Sequence, residues 1–118
     1  MSEIQDFVGA SHGDIDAVRA GLDADPTLAN CAWDWGDGDW ESAIGAAGHM
    51  GRRDIAELLL AYGARMDVFV AAMLDEVEIV RAMLPLYPQE PIGPHGIPLR
   101  THAEAGKATR VLELLAAG

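Results

Sequence analysis

The sequence predicts an all-α fold, a solenoid of helix–turn–helix repeats joined by long, irregular connections. Four segments share one pattern, in which a short helical run is followed by a turn residue and a second helical run. These segments are residues 8–22, 48–64, 70–84 and 102–115. Internal repetition at a few tens of residues is typical of stacked repeat architectures. No segment is rich in strand-forming residues, and at most a short hairpin is expected in a connection.

The spacing of apolar residues after each turn supports this prediction. The turn residues align as Gly13, Gly51, Asp75 and Gly106. Apolar side chains recur four, five, eight and nine positions later, with Arg110 as an exception in the last segment. This spacing places them on one stripe of a helix. Small residues precede each turn and allow neighbouring helices to approach closely, so each unit is expected to cover the apolar face of the next.

Local signals place the elements in order along the chain. Asp14, Ser42 and Asp67 stand where a side-chain oxygen can cap the start of a helix. Gly63 follows a helical run and suits its end. Residues 85–98 contain five prolines, which predict an irregular, stiffened connection.

The second segment carries a recognisable motif. It opens with Ser42-Ala43-Ile44-Gly45, turns at Gly51, and ends with Leu59-Leu60 followed by Gly63-Ala64. In this the chain resembles ankyrin-repeat proteins, whose unit opens with Thr-Pro-Leu-His, continues with Ala-Ala and a glycine turn, and ends with Leu-Leu. The resemblance implies a single domain over residues 1–118. Its four irregular repeats would lie at about 4–30, 37–64, 66–87 and 95–118.

Composition narrows the range of partners. The formal net charge is −11, and ten of the acidic residues lie within residues 1–41. This field disfavours nucleic acids and anionic membranes and favours a basic partner. Alternatively, the acidity serves only to keep a small protein soluble. Cys31 is the only cysteine, and no leader or membrane-spanning run is recognisable, so a cytoplasmic location is expected.

The three tryptophans, Trp33, Trp35 and Trp40, lie within one acidic loop between the first two repeats. Exposed, they would provide contact area for a partner or a face for a cation. Alternatively, one or two of them fold back to anchor the loop. The interleaved acids do not follow the spacing of a calcium-binding loop, and no calcium site is predicted.

The resemblance implies a concave groove lined by residues just before each turn. His12, His49 and Met50 occupy such positions, as do Met73 and Leu74, which would extend an apolar patch. The alternative is that the short connection before the third repeat buries Met73 and Leu74. The predicted partner-binding residues of groove and loop are Ser11, His12, Trp33, Trp35, Asp39, Trp40, Glu41, His49, Met50, Met73 and Leu74.

No metal site, cofactor or catalytic residue is predicted. No two histidines have the helical spacing of a zinc motif, and Cys31 has no thiol partner. The function expected from the resemblance is protein–protein interaction, by a monomer or a weak homodimer. The alternative is a small-molecule binding protein or enzyme, in which the tryptophan-rich loop closes over the groove. His12 and His49 would then line the pocket together with the three tryptophans.

Overall fold

The computed structural model describes residues 3–117. The chain is mostly helical with one small two-stranded hairpin, so the prediction of a helical fold is confirmed at that level. The helices are α1 (Glu3–Ala10), α2 (Ile15–Ala24), α3 (Ala43–His49), α4 (Arg53–Ala61), α5 (Val68–Met73), α6 (Val77–Met83), α7 (Leu99–Ala105) and α8 (Thr109–Ala117). Strands β1 (Ala32–Asp34) and β2 (Trp40–Ser42) form the hairpin, and 3-10 turns occur at Pro26–Asn30, Leu84–Leu86 and Pro94–Gly96.

Three predicted helix caps are confirmed. The carboxylate of Asp14 accepts the Ala17 N–H at 3.1 Å at the start of α2. The Ser42 hydroxyl accepts the Gly45 N–H at the start of α3, and Asp67 caps α5 in the same way. Each such cap is worth about 1 kcal/mol and fixes where the following helix begins. Ser42 also ends β2, so it ties the direction of α3 to the hairpin.

The helices pack in consecutive pairs. α1 packs on α2, α3 on α4, α5 on α6, and α7 on α8, while α1, α3, α5 and α7 contact one another in series. The apolar stripes identified in the sequence are buried in part: Val18, Leu22, Ile55, Leu59 and Val111 are fully buried, whereas Ile79 of the third stripe is 37% exposed. The odd-numbered helices therefore form a continuous row through the molecule.

The expected apolar patch at Met73 and Leu74 is wrong, because the two side chains are only 1% and 7% exposed. They end α5, which is held between α3 and α7. The approach is close enough that a Cβ on Gly106 would lie 2.0 Å from the Met73 carbonyl oxygen. The alternative, in which the short connection buries both residues, is the one observed. Of Met50, Met73 and Leu74, only Met50 is half exposed.

Two further residues assigned to the binding surface are also buried. Ser11 is inaccessible, and its hydroxyl donates a hydrogen bond to the Phe7 carbonyl at 2.9 Å. Its position just after α1 therefore serves to end the helix. Glu41 is likewise inaccessible. Neither side chain can contact a partner, because neither has accessible surface.

The hairpin occupies the first long connection, where at most a short hairpin was expected. Trp33 lies opposite Glu41 and Asp34 lies opposite Trp40, so the two pairs point to opposite faces. Trp33 packs against the core. The Asp34 carboxylate accepts the N–H groups of Gly36 and Gly38 and so shapes the turn. Among the described residues, no helix has the length and apolar character needed to cross a membrane.

Candidate functional site

The buried Glu41 is the centre of the candidate site. It lies in the middle of β2 on the inward face, because it pairs across the hairpin with the inward Trp33. An ionised carboxylate without solvent requires charged or hydrogen-bonding partners. The structure supplies such partners from four separate parts of the chain.

Three imidazoles and one indole surround the Glu41 carboxylate. Trp35 Nε1 donates a hydrogen bond to Oε1 at 2.9 Å, and His12 Nε2 lies 3.2 Å from the same oxygen. The other oxygen, Oε2, lies 2.9 Å from His49 Nε2 and 3.3 Å from His95 Nε2. We call these four residues, His12, Glu41, His49 and His95, the histidine–glutamate cluster.

The ends of two helices place two of these histidines. His12 follows α1, and its Nδ1 lies 3.0 Å from the Val8 carbonyl and 3.1 Å from the Gly9 carbonyl. His49 is the last residue of α3. Because α1 and α3 pack side by side, their ends bring the two rings to a centroid distance of 5.0 Å.

The third histidine, His95, comes from the proline-rich connection. It adopts a left-handed backbone conformation with φ of 61°, which is uncommon outside glycine but more accessible to asparagine, aspartate and histidine than to other residues. Asp39 holds it there: one carboxylate oxygen accepts the His95 backbone N–H at 2.8 Å, and the other lies 2.6 Å from its Nδ1. Backbone strain of this kind is often found at functional sites.

In His12 and His95, the inner nitrogen Nε2 faces Glu41 and the outer nitrogen Nδ1 faces away from it. The contacts of Nδ1 restrict which protonation states of Nε2 are possible. Nδ1 of His12 faces carbonyl oxygens, and Nδ1 of His95 faces the Asp39 carboxylate. Both acceptors require a proton on Nδ1, so a neutral ring would direct the lone pair of Nε2 at Glu41. That arrangement would be repulsive. Either the rings carry a second proton or a cation lies among the inner atoms.

One contact within the cluster has unusual geometry. Glu41 Oε2 and His49 Nε2 are only 2.9 Å apart, yet both atoms are buried and neither makes a hydrogen bond. Buried polar atoms without partners are rare in folded proteins and call for an explanation. Here the two atoms lie within contact distance, but their geometry does not meet that of a hydrogen bond.

The charges of the cluster shift its pKa values in opposite directions. Burial raises the pKa of Glu41, but the imidazoles of His12 and His49 and the Trp35 N–H outweigh it and hold that pKa far below its usual range. The Glu41 carboxylate raises the pKa of His12. For His95, burial lowers the pKa, but Asp39 and Glu41 more than compensate and the pKa is raised. The backbone N–H and ring of His95 lower the pKa of Asp39.

Together the four residues offer a set of ligand atoms for a metal ion. One ligand atom from each of the cluster residues lies within 4.8 Å of the others. No metal site was predicted, because the sequence has neither two histidines at helical spacing nor a pair of cysteines. The four residues are instead far apart in the sequence and belong to different elements. The positions of His12 and His49 just before their turns were the one available signal.

Among the remaining predicted partner-binding residues, the three tryptophans differ in how exposed they are. Trp40 is 61% exposed and Trp35 is 38% exposed, whereas Trp33 anchors the loop on the core. The alternative that one or two tryptophans fold back therefore applies to Trp33 and to the hydrogen-bonded Trp35. Two acids of the loop contact different groups. Asp34 accepts a backbone N–H of the turn, and Asp39 contacts the ring of His95.

In comparisons with known proteins, no family model, curated protein or solved structure matches the chain. The function therefore has to be argued from the residues of the site.

Proposed function

We propose that the chain is an ankyrin-like binding module that recognises a basic segment of a partner protein through the outer face of its hairpin. Two observations support the ankyrin-like architecture: the serial packing of α1, α3, α5 and α7, and the finger-like hairpin in the first connection. A cytoplasmic location and a protein partner belong to the same proposal. In such modules, rigid helices present loops whose side chains make the contacts.

The outward pair of the hairpin carries the proposal. Trp40 is 61% exposed, and Asp34 lies directly across from it on the same face. The exposed Asp37 follows in the turn. An exposed indole provides a rigid surface that attracts Lys and Arg side chains, and nearby carboxylates strengthen that attraction. The net charge of −11 would steer a basic segment toward the protein.

The hairpin face is also held rigidly, which reduces the entropy lost on binding. Trp33 packs on the core beneath it, and Asp39 binds His95 of the proline-rich connection. The outer side chain of Trp40 is therefore presented by a fixed backbone. A preorganised aromatic residue of this kind is typical of binding hot spots.

The test is affinity capture from a native lysate with wild type, Trp40→Ser and Met50→Ser. Met50 is 50% exposed but lies at the end of α3, so its variant is a matched control for loss of an exposed apolar side chain. We expect Trp40→Ser to lose the partner, with affinity reduced by roughly 30-fold or more, as for a hot-spot tryptophan. Higher salt should weaken capture by the wild type, because the contact includes opposite charges.

Equal capture by wild type and Trp40→Ser would overturn the hairpin face as the binding surface. Selective loss in Met50→Ser would instead move the site to the groove. Circular dichroism and thermal unfolding of each variant would confirm that the fold is retained, as expected for substitutions of exposed residues.

A further inference from the structure

We propose that His12, Glu41, His49 and His95 bind one divalent transition-metal ion of the zinc class. The inference concerns the base of the hairpin rather than its outer face, and so it goes beyond the binding module proposed above. Four arguments from the cluster support it.

The spacing of the ligand atoms fits a metal centre. In a tetrahedral zinc site with bonds of about 2.0–2.1 Å, neighbouring ligand atoms lie roughly 3.3–3.4 Å apart. His12 Nε2 lies 3.2 Å from Glu41 Oε1, and His95 Nε2 lies 3.3 Å from Oε2. All ligand atoms lie within 4.8 Å of one another, so small side-chain rotations bring them around a common centre.

The contact between Glu41 and His49 provides the second argument. Their atoms Oε2 and Nε2 are buried, 2.9 Å apart and without a hydrogen bond. A proton between them would satisfy both atoms only if the N–H were aligned with the oxygen. Two ligands of one ion lie close together in the same way while both are directed at the ion. The metal would satisfy both atoms, and no other described group does so.

The outer nitrogens supply the third argument. Metal-binding histidines usually donate the N–H of the other ring nitrogen to a carbonyl or a carboxylate, which orients the ring. Nδ1 of His12 faces the carbonyl of Val8, and Nδ1 of His95 faces the carboxylate of Asp39. Both contacts leave the lone pair of Nε2 on the side of Glu41.

The fourth argument is the identity of the donors, which also selects the class of metal. Three imidazole nitrogens and one carboxylate suit zinc, copper and nickel, whereas calcium and magnesium prefer sets of oxygen ligands. Four protein ligands around a buried Glu41 resemble a closed structural zinc site. The ion would join the end of α1, β2, α3 and the proline-rich connection.

The test uses untagged protein, because a polyhistidine tag would bind the same metals. After removal of metal with a chelator, Zn²⁺ affinity is measured by competition with a chromophoric chelator, and Co²⁺ is added as a spectroscopic probe. We expect one ion per chain, an intense visible Co²⁺ spectrum typical of tetrahedral coordination, and no comparable binding of Mg²⁺ or Ca²⁺. Thermal stability should rise with Zn²⁺ concentration, since only the folded chain assembles the site.

His95→Asn is the most informative variant, because His95 lies in a connection and asparagine accepts a positive φ. We expect Zn²⁺ affinity to fall by at least about 100-fold, since loss of outer-shell partners alone costs 10–100-fold. Asp37→Asn is the matched control, as it removes one exposed acid of the same hairpin at another positive φ. Its Zn²⁺ affinity should stay within about threefold of wild type, as for an exposed charge outside the site.

Equal Zn²⁺ affinity of wild type and His95→Asn would overturn the proposal, as would the absence of 1:1 binding by wild type. A measurement on the wild-type protein tests the proposal even if the variant misfolds. In nitrogen-edited NMR of the imidazoles, Zn²⁺ should shift Nε2 of His12, His49 and His95 and leave Nε2 of His102 unchanged. Equal shifts at His102, or none at the other three, would also overturn it. Trp40→Ser should bind Zn²⁺ as wild type does, so this proposal and the proposed function can fail separately.

Discussion

The histidines occupy two kinds of environment, which differ in whether a buried carboxylate lies beside the ring. His102 lies in α7 and is inaccessible to solvent; its Nδ1 contacts the Pro98 carbonyl at 2.9 Å, and its Nε2 has no hydrogen-bond partner. Its ring packs against Phe69 at a centroid distance of 4.9 Å. Burial lowers the pKa of His102. Burial of this ring thus disfavours its charged form.

His12 experiences the opposite effect beside the buried carboxylate. Glu41 raises the pKa of His12, although burial acts on that ring as well. The comparison shows that burial does not by itself decide the state of a histidine; the buried charge beside it does. Among the described residues, only the cluster brings three or more possible ligand residues together, and His102 is not one of them.

Removal of the carboxylate should have the largest effect on this comparison. In metal-free protein, we expect Glu41→Ala to lower the free energy of unfolding by about 3 kcal/mol, because the Trp35 N–H and the surrounding imidazoles lose their buried partner. Urea denaturation followed by circular dichroism would measure the change. The control Asp37→Asn should stay within about 0.5 kcal/mol of wild type. A Glu41→Ala variant as stable as wild type would show that the carboxylate does not hold the cluster together.

Loss of the outer carboxylate should have a smaller effect. Asp39 contacts His95 and not the inner atoms of the cluster, so it acts as a positioning residue. We expect Asp39→Asn to weaken Zn²⁺ binding by about 10–100-fold, equivalent to about 1.4–2.7 kcal/mol. Competition titration would measure this loss. A change in fold alone would also move the apo circular dichroism spectrum, whereas a positioning role leaves that spectrum unchanged and shifts the Co²⁺ spectrum.

The sequence was sufficient to predict the helical elements and their buried faces. Periodicity identified residues such as Leu22 and Leu59, because the spacing of apolar residues along a helix is a local property. The caps at Ser42 and Asp67 were predictable for the same reason, since each cap bonds an N–H three residues away. Local chemistry therefore accounts for most of the secondary structure.

The candidate site could not be predicted in this way, because it depends on tertiary packing. His95 joins the cluster only through the fold of the proline-rich connection and its contact with Asp39. The burial of Glu41 follows from hairpin register, which the alternating sequence of tryptophans and acids did not fix. The burial of Met73 likewise follows from the position of α5 between two neighbours. None of these facts has a signal within a few residues of sequence.

The smallest expected effect is the difference in titration between the two environments in metal-free protein. By NMR, His102 should titrate below its ordinary pKa of 6.5, while His12 and His95 should titrate above theirs. The linked effects on stability have opposite signs. Below about pH 6.5 the unfolded chain binds the His102 proton more readily, so this histidine reduces stability as the pH falls. Above about pH 6.5 the folded chain retains protons on His12 and His95, so their contribution is lost as the pH rises through their raised pKa values. A titration in which all three rings shift in the same direction would contradict the contrast between a buried ring alone and a ring beside a buried carboxylate.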